Sequence, residues 1–478
     1  MNKRNSILAL LLVGASALTA CSSKGVPSSP SGTTASEDTT TAAEEISPLD
    51  SLNYGGQTIT LYVRDDLGFE EFNVEEEAGD VVNDALVKRN RKVSERLNVK
   101  LEFFKQADGF ANRQTFSSVL SQSIMAGDSA YDIVAGYSMS VAYMAADGML
   151  CDLTSTAYMD FSKPWWSDSL LSESAINGKL YFASGDISIA MLNYLNCTFF
   201  NKEMIADFNL ENPYELVDNG TWTLDKMAEM CTGIYSDLNG NNEKDAADRF
   251  GFVTKAKYLD AFWFSAGLTY TETDEAGQLV ISDDLVGEKA AELVEKLCGL
   301  LHDTNDFMIS EEGKIFKEGN VLFHSNDLKL ASPTLRDATF EYGLLPVPKY
   351  DESDNYVTTP SFGVTLYGIP LDAKDIDMSS AVLEALAEEG YNTVSPALFE
   401  VAMKVKYSSD DDSSRMYDII RENISFDFGR IFNDNLNGKT YGIFRDALVT
   451  NTSTWSSTVA SEAEAVQTML TSLLENFE

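Results

Sequence analysis

Between residues 58 and 135 the chain alternates short β-type runs with amphipathic helical ones, and this alternation constrains the fold more than any other feature. Thr58-Ile59-Thr60-Leu61-Tyr62-Val63 reads as a strand. Over residues 81–97, Val82, Leu86, Val93 and Leu97 fall on one helical face. Val99-Lys100-Leu101-Glu102-Phe103 alternates apolar and polar residues, as a half-buried second strand does. Residues 116–125 read as another helix, and Tyr131-Asp132-Ile133-Val134-Ala135 as a third strand, apolar enough to be covered on both faces. The β-α-β-α-β order predicts an α/β fold with a mostly parallel sheet and helices on both sides.

The chain begins with a different kind of segment. Lys3 and Arg4 are followed by an apolar run, residues 7–18, too short to span a bilayer comfortably, and then by Leu18-Thr19-Ala20-Cys21. A positive start, a short apolar run and a small-residue junction are the layout of an export signal. Leu-Thr-Ala-Cys also resembles the bacterial lipobox. That resemblance implies cleavage before Cys21, a diacylglycerol on its sulfur and acyl chains of the palmitate type, so residues 1–21 are expected to be a lipoprotein signal peptide. Such chains hold a protein at the membrane surface without spanning it. Residues 22–53 are rich in Ser, Thr, Pro and Ala and are expected to form a disordered tether. The expected location is the extracellular face of the cell membrane, lipid-anchored.

The remaining sequence is that of a soluble body. Of the 478 residues of the whole chain 44% are hydrophobic, including 26 Phe and 20 Tyr, which is enough for a substantial core. No later apolar run approaches the roughly 20 residues of a membrane helix. With 75 Asp and Glu against 35 Lys and Arg, the formal charge is −40, and a nucleic-acid partner is excluded on electrostatic grounds. Uncharged ligands and divalent cations remain compatible with it. Beside Cys21, Cys151, Cys197, Cys231 and Cys298 are widely spaced and each has apolar neighbours, which suits either disulfides or buried thiols. With only His302 and His324, a His-based zinc site is not expected.

Several segments of the body resemble, in order, the motifs of one known family. Tyr131-Asp132-Ile133-Val134 followed by Gly148-Met149-Leu150-Cys151-Asp152-Leu153-Thr154 is similar to the family's "YDIV … GxLxDLT". Phe200-Asn201-Lys202 resembles its "YNK", with Phe for Tyr. Thr221-Trp222-Thr223-Leu224-Asp225 resembles "TWTWDEL", with Leu224 in place of the second Trp. Phe316-Lys317-Glu318-Gly319 and Gly343-Leu344-Leu345-Pro346-Val347-Pro348-Lys349 resemble "FxxG" and "GxLPxPK". Together these segments resemble extracellular solute-binding protein family 1, the substrate-binding lipoproteins of ABC importers that mostly serve carbohydrates. The resemblance implies the type II periplasmic-binding-protein fold, two α/β lobes joined by a hinge of crossing segments near residues 191–196, 324–327 and 369–371. The expected N-terminal lobe is 54–192 and 326–370. The expected C-terminal lobe is 193–325 and 371–478.

Sugar recognition needs aromatic faces and a few placed polar groups. The stacking candidates are Trp263, which the family places facing the cleft, and Trp165 and Trp166 in a loop after Pro164. Polar candidates lie at strand ends and crossings, where ligands of open α/β sheets gather. They are Arg64, Asp65, Tyr137, Asp186, Asn193, Tyr194 and Asn326. Trp222 suits a helix start and Trp455 has no assigned role. Asp237, Asn239, Asn241, Glu243, Asp245 and Asp248 carry the spacing of a twelve-residue calcium loop and resemble its dockerin variant. Glu243 would ligate through its backbone carbonyl. Asn242 at the usual Gly and Asp248 at the usual Glu depart from the pattern. A structural Ca2+ and an acidic surface turn both fit this loop.

No G-x-S-x-G elbow, Walker loop or dinucleotide glycine pattern is present, and no catalytic residue is assigned. The expected function is therefore a non-enzymatic one. The chain would capture a small-molecule ligand, a carbohydrate or oligosaccharide, by hinge closure and deliver it as a monomer to ABC permease subunits. An exported glycoside hydrolase and a surface lipoprotein of the same fold used for sensing or adhesion are the alternatives.

Overall fold

The computed structural model describes residues 47–312, 314–331, 334–404, 411–452 and 454–477. The signal segment, Cys21 and most of the expected tether lie outside the described residues. The end of that tether is ordered. Pro48–Ser51 forms a 3-10 turn capped by Ser47, Leu49 is buried, and Arg96 pairs with Asp50 at 2.7 Å. Leu49 packs on the first sheet's core, so the body begins near residue 47 rather than 54.

Eleven strands are present among the described residues. They are β1 (Gln57–Arg64), β2 (Val99–Gln106), β3 (Ile133–Tyr137), β4 (Asn196–Asn201), β5 (Phe250–Thr254), β6 (Thr271–Thr273), β7 (Leu279–Ile281), β8 (Phe307–Ile309), β9 (Val321–Asp327), β10 (Tyr342–Leu345) and β11 (Thr365–Gly368). The first sheet has the order β11-β3-β1-β2, parallel except for β11. Its strands separate their side chains onto two cores with the period of two that a pleated strand imposes. Ile59, Leu61 and Val63 face helix Val81–Leu97 and helix Ile376–Glu389, whereas Tyr62 and Val134 face Phe116, Leu120 and Val141. Helix Val81–Leu97 begins where Asp80 accepts the N–H groups of Val82 and Asn83, and ends at Asn98 with a φ of 49°.

The second sheet has the order β10-β4-β9-β5-β8. All seven residues of β9 are buried because helices cover both faces. Phe200, Phe252 and Phe323 point to a core with Trp222 and Trp263; Phe199, Phe250 and Val253 point to the opposite one with Phe316 and Tyr342. The fold is thus the two-lobed α/β architecture expected from the sequence. Cys151, Cys197, Cys231 and Cys298 are buried free thiols. No helix among the described residues is long and apolar enough to cross a membrane.

The chain passes between sheets along two segments that run side by side. Residues 194–196 enter β4, and residues 358–364 return to β11. Asn196 Nδ2 donates to the Thr359 carbonyl at 2.7 Å, and the Ser361 N–H donates to the Tyr194 carbonyl at 2.7 Å. Three lobe boundaries differ from expectation. After β9 the chain only touches the first lobe and returns to pair β10 with β4, so Tyr342–Leu345 belongs to the second sheet. The return crossing lies at 358–364, ahead of the expected 369–371. Helix Ile376–Glu389 packs on the first sheet, because its Met378, Val382 and Leu386 complete the Ile59–Leu61–Val63 core. The last helix, Trp455–Glu475, serves both lobes: Trp455 and Val459 join the Trp263 core, and Leu470 and Leu473 join the Tyr62 core.

Close approach of β5 to helix Leu224–Cys231 depends on Gly251. A Cβ there would lie 2.5 Å from Cys231 Cβ and 2.9 Å from its backbone. Gly251→Ala is expected to lower stability by about 1–3 kcal/mol in urea unfolding. An unchanged midpoint would contradict this packing.

Candidate functional site

In open α/β sheets ligands gather beyond the carboxyl ends of the strands. The parallel strands of the first sheet end at Arg64, Gln106 and Tyr137, and those of the second at Thr254, Ile309 and Asp327. The paired crossings join these two edges.

On the first lobe, Arg64 is almost wholly buried. It makes a two-pronged pair with Asp66, Nε to Oδ1 at 2.8 Å and Nη2 to Oδ2 at 3.0 Å, and its Nη1 donates to the Gly363 carbonyl at 2.8 Å. The guanidinium carbon lies 5.3 Å from the centre of the Tyr137 ring. Asp108 sits behind this pair, accepting from the Tyr137 N–H at 2.7 Å and the Ser140 hydroxyl at 2.5 Å. Burial pushes its carboxyl up to about 7, against these two hydrogen bonds and the nearby Arg64 charge. Asp65 is exposed at the end of β1. Phe110, 59% exposed, carries the Arg113 guanidinium 4.1 Å from its ring centre. Arg113 in turn reaches Asp434 at 2.5 Å.

At the crossing, the Tyr194 ring lies on Gly363, where a Cβ would approach within 2.5 Å of it. Its hydroxyl accepts from Lys329 Nζ at 3.2 Å. Lys329 also lies 5.2 Å from the Phe69 ring centre and donates to the Leu67 carbonyl. On the second-lobe side, Asp327 is buried and accepts from the Tyr258 hydroxyl at 2.9 Å. Burial raises its pKa, and Lys257 opposes that rise. Half-buried Phe362 is sandwiched between Tyr441 at 4.6 Å and the Arg430 guanidinium at 3.9 Å.

Of the residues expected from sequence, Arg64, Tyr137 and Tyr194 meet at this junction, Asp65 is exposed at the end of β1, and Asn193 is half-buried at the end of helix Ile189–Asn193. Five others do not present themselves to a ligand. Trp263 is fully buried, stacked on Tyr270 at 4.8 Å and 6.0 Å from Trp455, so it is core rather than a stacking platform. Trp165 and Trp166 aim both indole N–H groups at Glu384, each at 3.0 Å, fixing their loop to helix Ile376–Glu389. Asp186 pairs with Arg421 at 3.3 Å, and its backbone N–H donates to the Trp165 carbonyl. Asn326 is consumed within β9, donating to His324 Nε2 at 2.9 Å and accepting from the Asp327 N–H. Sequence reasoning missed Asp66, Asp108, Lys257, Asp327 and Lys329. The signal for Asp66 and Asp327 was their position one residue beyond Asp65 and Asn326.

In the loop 237–248, Asp237 accepts from the N–H groups of Gly240 and Asn242, and Asp245 accepts from the amides of Asn239 and Asn241. Glu243 donates its N–H to Asn241 Oδ1. Asn242 adopts the left-handed φ of 61° that the sharp turn requires. Asp248 is turned inward, accepting from Tyr235, Leu238 and Asp245. Among the described residues, no group of three or more His, Cys, Asp or Glu converges as a metal-binding set.

No protein-family model matches the chain, and no curated protein matches it in sequence. Solved structures do. The cyclic α-maltosyl-1,6-maltose binding protein of Arthrobacter globiformis is 15% identical with a TM-score of 0.58, covering 88% of this chain and 100% of that one. A cyclo/maltodextrin-binding protein complexed with maltotetraose is 14% identical, with a TM-score of 0.57 over 86% of this chain and 97% of its own. An ABC transporter solute-binding protein from Thermotoga lettingae bound with α-D-tagatose is 13% identical, with a TM-score of 0.53 over 87% and 100%. The chain has the solute-binding-protein fold. In that fold the Arg64–Tyr137–Tyr194–Asp327 junction lies where the two lobes' strand ends meet.

Glu384 gives a measurable consequence of the tryptophan clamp. Burial pushes its carboxyl up from 4.5 to about 7 despite three N–H donors. A raised folded-state pKa means that its stabilising contribution is complete below the unfolded value and is lost as pH rises to about 7. Relative to wild type, Glu384→Gln is therefore expected to be more favourable at pH 8 than at pH 5, by up to about 3 kcal/mol. Urea midpoints at the two pH values measure this, and an equal difference at both would contradict it.

Proposed function

We propose that the chain is a membrane-anchored extracellular solute-binding protein. It captures a carbohydrate or oligosaccharide between its lobes and delivers it to the permease subunits of an ABC importer. The observation that carries this reading is the junction itself. Two sheets turn their carboxyl ends toward one another across a paired crossing, and aromatic rings and fixed polar groups collect there, as binding sites require. The structural neighbours bind maltodextrins and tagatose, which supports the same ligand class. Closure would follow from a ligand that touches both lobes and so favours the form in which they approach. Asp108, the carboxyl pushed toward neutrality, is enclosed by Tyr137 and Ser140 and faces protein, which favours binding over hydrolysis. Cys21 in Leu18-Thr19-Ala20-Cys21 supplies the anchor.

Thermal melting of the full chain in mild detergent against mono- and oligosaccharides tests the reading. A ligand at 100 times its dissociation constant is expected to add about 2.7 kcal/mol. Sugar recovered intact supports capture, cleaved sugar supports the hydrolase, and a panel without a shift removes the carbohydrate assignment. Calcium at the 237–248 loop belongs to the same proposal. A calcium-dependent rise in Tm that Asp237→Ala abolishes supports it, and no rise leaves the loop an acidic turn. Cys21→Ser is expected to release the protein into the medium with its ligand affinity unchanged. Retention at the cell surface would remove the lipid anchor.

A further inference from the structure

Phe362, in the return crossing, anchors a stack of alternating rings and guanidinium groups. Arg430 lies 3.9 Å from its ring centre and Tyr441 4.6 Å, and Arg445 lies 4.5 Å from the Tyr441 ring centre. Hydrogen bonds fix the members in place. Arg430 Nη1 donates to the Pro360 carbonyl at 2.7 Å, and the Thr440 hydroxyl donates to the Gly429 carbonyl at 2.9 Å. At the end of β3, the Ser138 hydroxyl donates to the Phe362 carbonyl at 3.0 Å, and the adjoining Tyr137 packs in the same apolar cluster as Tyr441 and Phe362. Arg430, Tyr441 and Tyr137 are thus gathered on one crossing segment, and the Arg430 charge acts on both tyrosine hydroxyls.

All three residues are more than nine-tenths buried, at 5%, 7% and 7% exposure, and each keeps polar atoms without a partner. Arg430 uses only Nη1 of its guanidinium. Its Nε is sealed from water with no hydrogen bond. Among the described residues Nη2 makes none either, and no carboxylate stands within ion-pair distance. Both oxygens of Asp260 are taken by Arg445, and those of Asp427 by the N–H groups of Tyr270, Thr271 and Arg430. The Nε–Nη2 edge is the fork with which Arg64 holds Asp66, and Arg430 carries the same fork unfilled. The hydroxyls of Tyr137 and Tyr441 also make no hydrogen bond among the described residues, and they are not sealed from water as Nε is. Unpaired polar groups are costly in a protein interior, and native structures supply their partners. The chemistry of this partner follows from the groups present. The fork needs two acceptor oxygens side by side, whereas each tyrosine hydroxyl can both donate and accept. Asp260 and Asp427 offset the charges of Arg430 and Arg445, so no anion is called for. Two adjacent hydroxyl groups meet every demand, with oxygens that accept from the fork and hydrogens that reach the tyrosine oxygens.

We propose that Arg430, Tyr441 and Tyr137 recognise an unsubstituted vicinal diol on a neutral saccharide, the Arg430 fork donating to its two oxygens. The inference rests on the solute-binding reading and names the part of the ligand that decides recognition. Isothermal titration of the full chain in mild detergent tests it, with maltotriose, cellotriose and xylotriose each run against its 2,3-di-O-methyl form. At least one parent sugar is expected to bind about tenfold or more tighter than its methylated form. Tyr441→Phe and Tyr137→Phe each remove a hydroxyl that no protein group uses. Each is expected to weaken binding of that sugar about fivefold or more and to leave the Tm of the ligand-free protein unchanged. Arg430→Lys keeps the charge but loses the fork, and is expected to weaken binding about tenfold or more. If the methylated sugar binds as tightly as its parent, or if either Tyr→Phe variant binds the parent as wild type does, the diol proposal is overturned while the solute-binding reading stands. A lower Tm in the ligand-free Tyr→Phe variants also overturns it, since the hydroxyls would then serve the fold. If no saccharide binds the wild type, the carbohydrate assignment falls with it.

Discussion

The structure depends on the pairing of its two crossing segments. Where residues 194–196 leave the first lobe, residues 358–364 come back alongside them, held by Asn196 to the Thr359 carbonyl and by Ser361 to the Tyr194 carbonyl. These paired segments join the two sheets. They fix which edge of each sheet faces the other, and so they place Arg64, Tyr137 and Asp327 in one neighbourhood although 263 residues separate the first from the last. Gly363 is part of this device. The Tyr194 ring occupies the space a side chain there would need.

Around that crossing the molecule divides its charges by burial. Carboxylates brought inside are given donors, as Asp427 is by the N–H groups of Tyr270, Thr271 and Arg430, and burial still moves them toward neutrality, as it does Asp427, Asp108 and Glu384. Both outcomes follow from the cost of leaving an ionised group without water or partners. Asp427 ties the second lobe's Tyr270 to a segment whose Phe428 and Phe432 lie in the first lobe's core. This polar clamp lies beyond the two crossings, so motion between lobes must carry the 427–432 segment with one side or the other.

The local elements were legible in the sequence because they rest on periodicity and short-range chemistry. Helix Val81–Leu97 has the expected ends, since Asp80 and Asn98 cap it; β1 lies where expected, and β2 keeps its alternation over Val99–Phe103. The site was only half legible. Arg64, Tyr137 and Tyr194 could be found because strand ends and crossings are local positions with a general use. The tryptophans could not. An indole is large and apolar enough to be core anywhere, and whether it faces a ligand or a carboxylate depends on what packs against it. Glu384, which receives Trp165 and Trp166, lies more than two hundred residues further along the chain.

The sequence by itself determined the α/β class, the β-α-β-α-β start and the acidity of the exterior, because spacing, capping and composition act over a few residues or over the whole count. It also carried the ordered series of segments that resemble solute-binding proteins. Only the tertiary structure decided the rest. Tyr342–Leu345 joined the second sheet and helix Ile376–Glu389 the first, because strand pairing and burial of apolar faces depend on partners distant in the chain. For the same reason Lys255, Lys257 and Lys329, unremarked as separate residues, gathered around the buried Asp327 only when β5 and β9 were laid side by side.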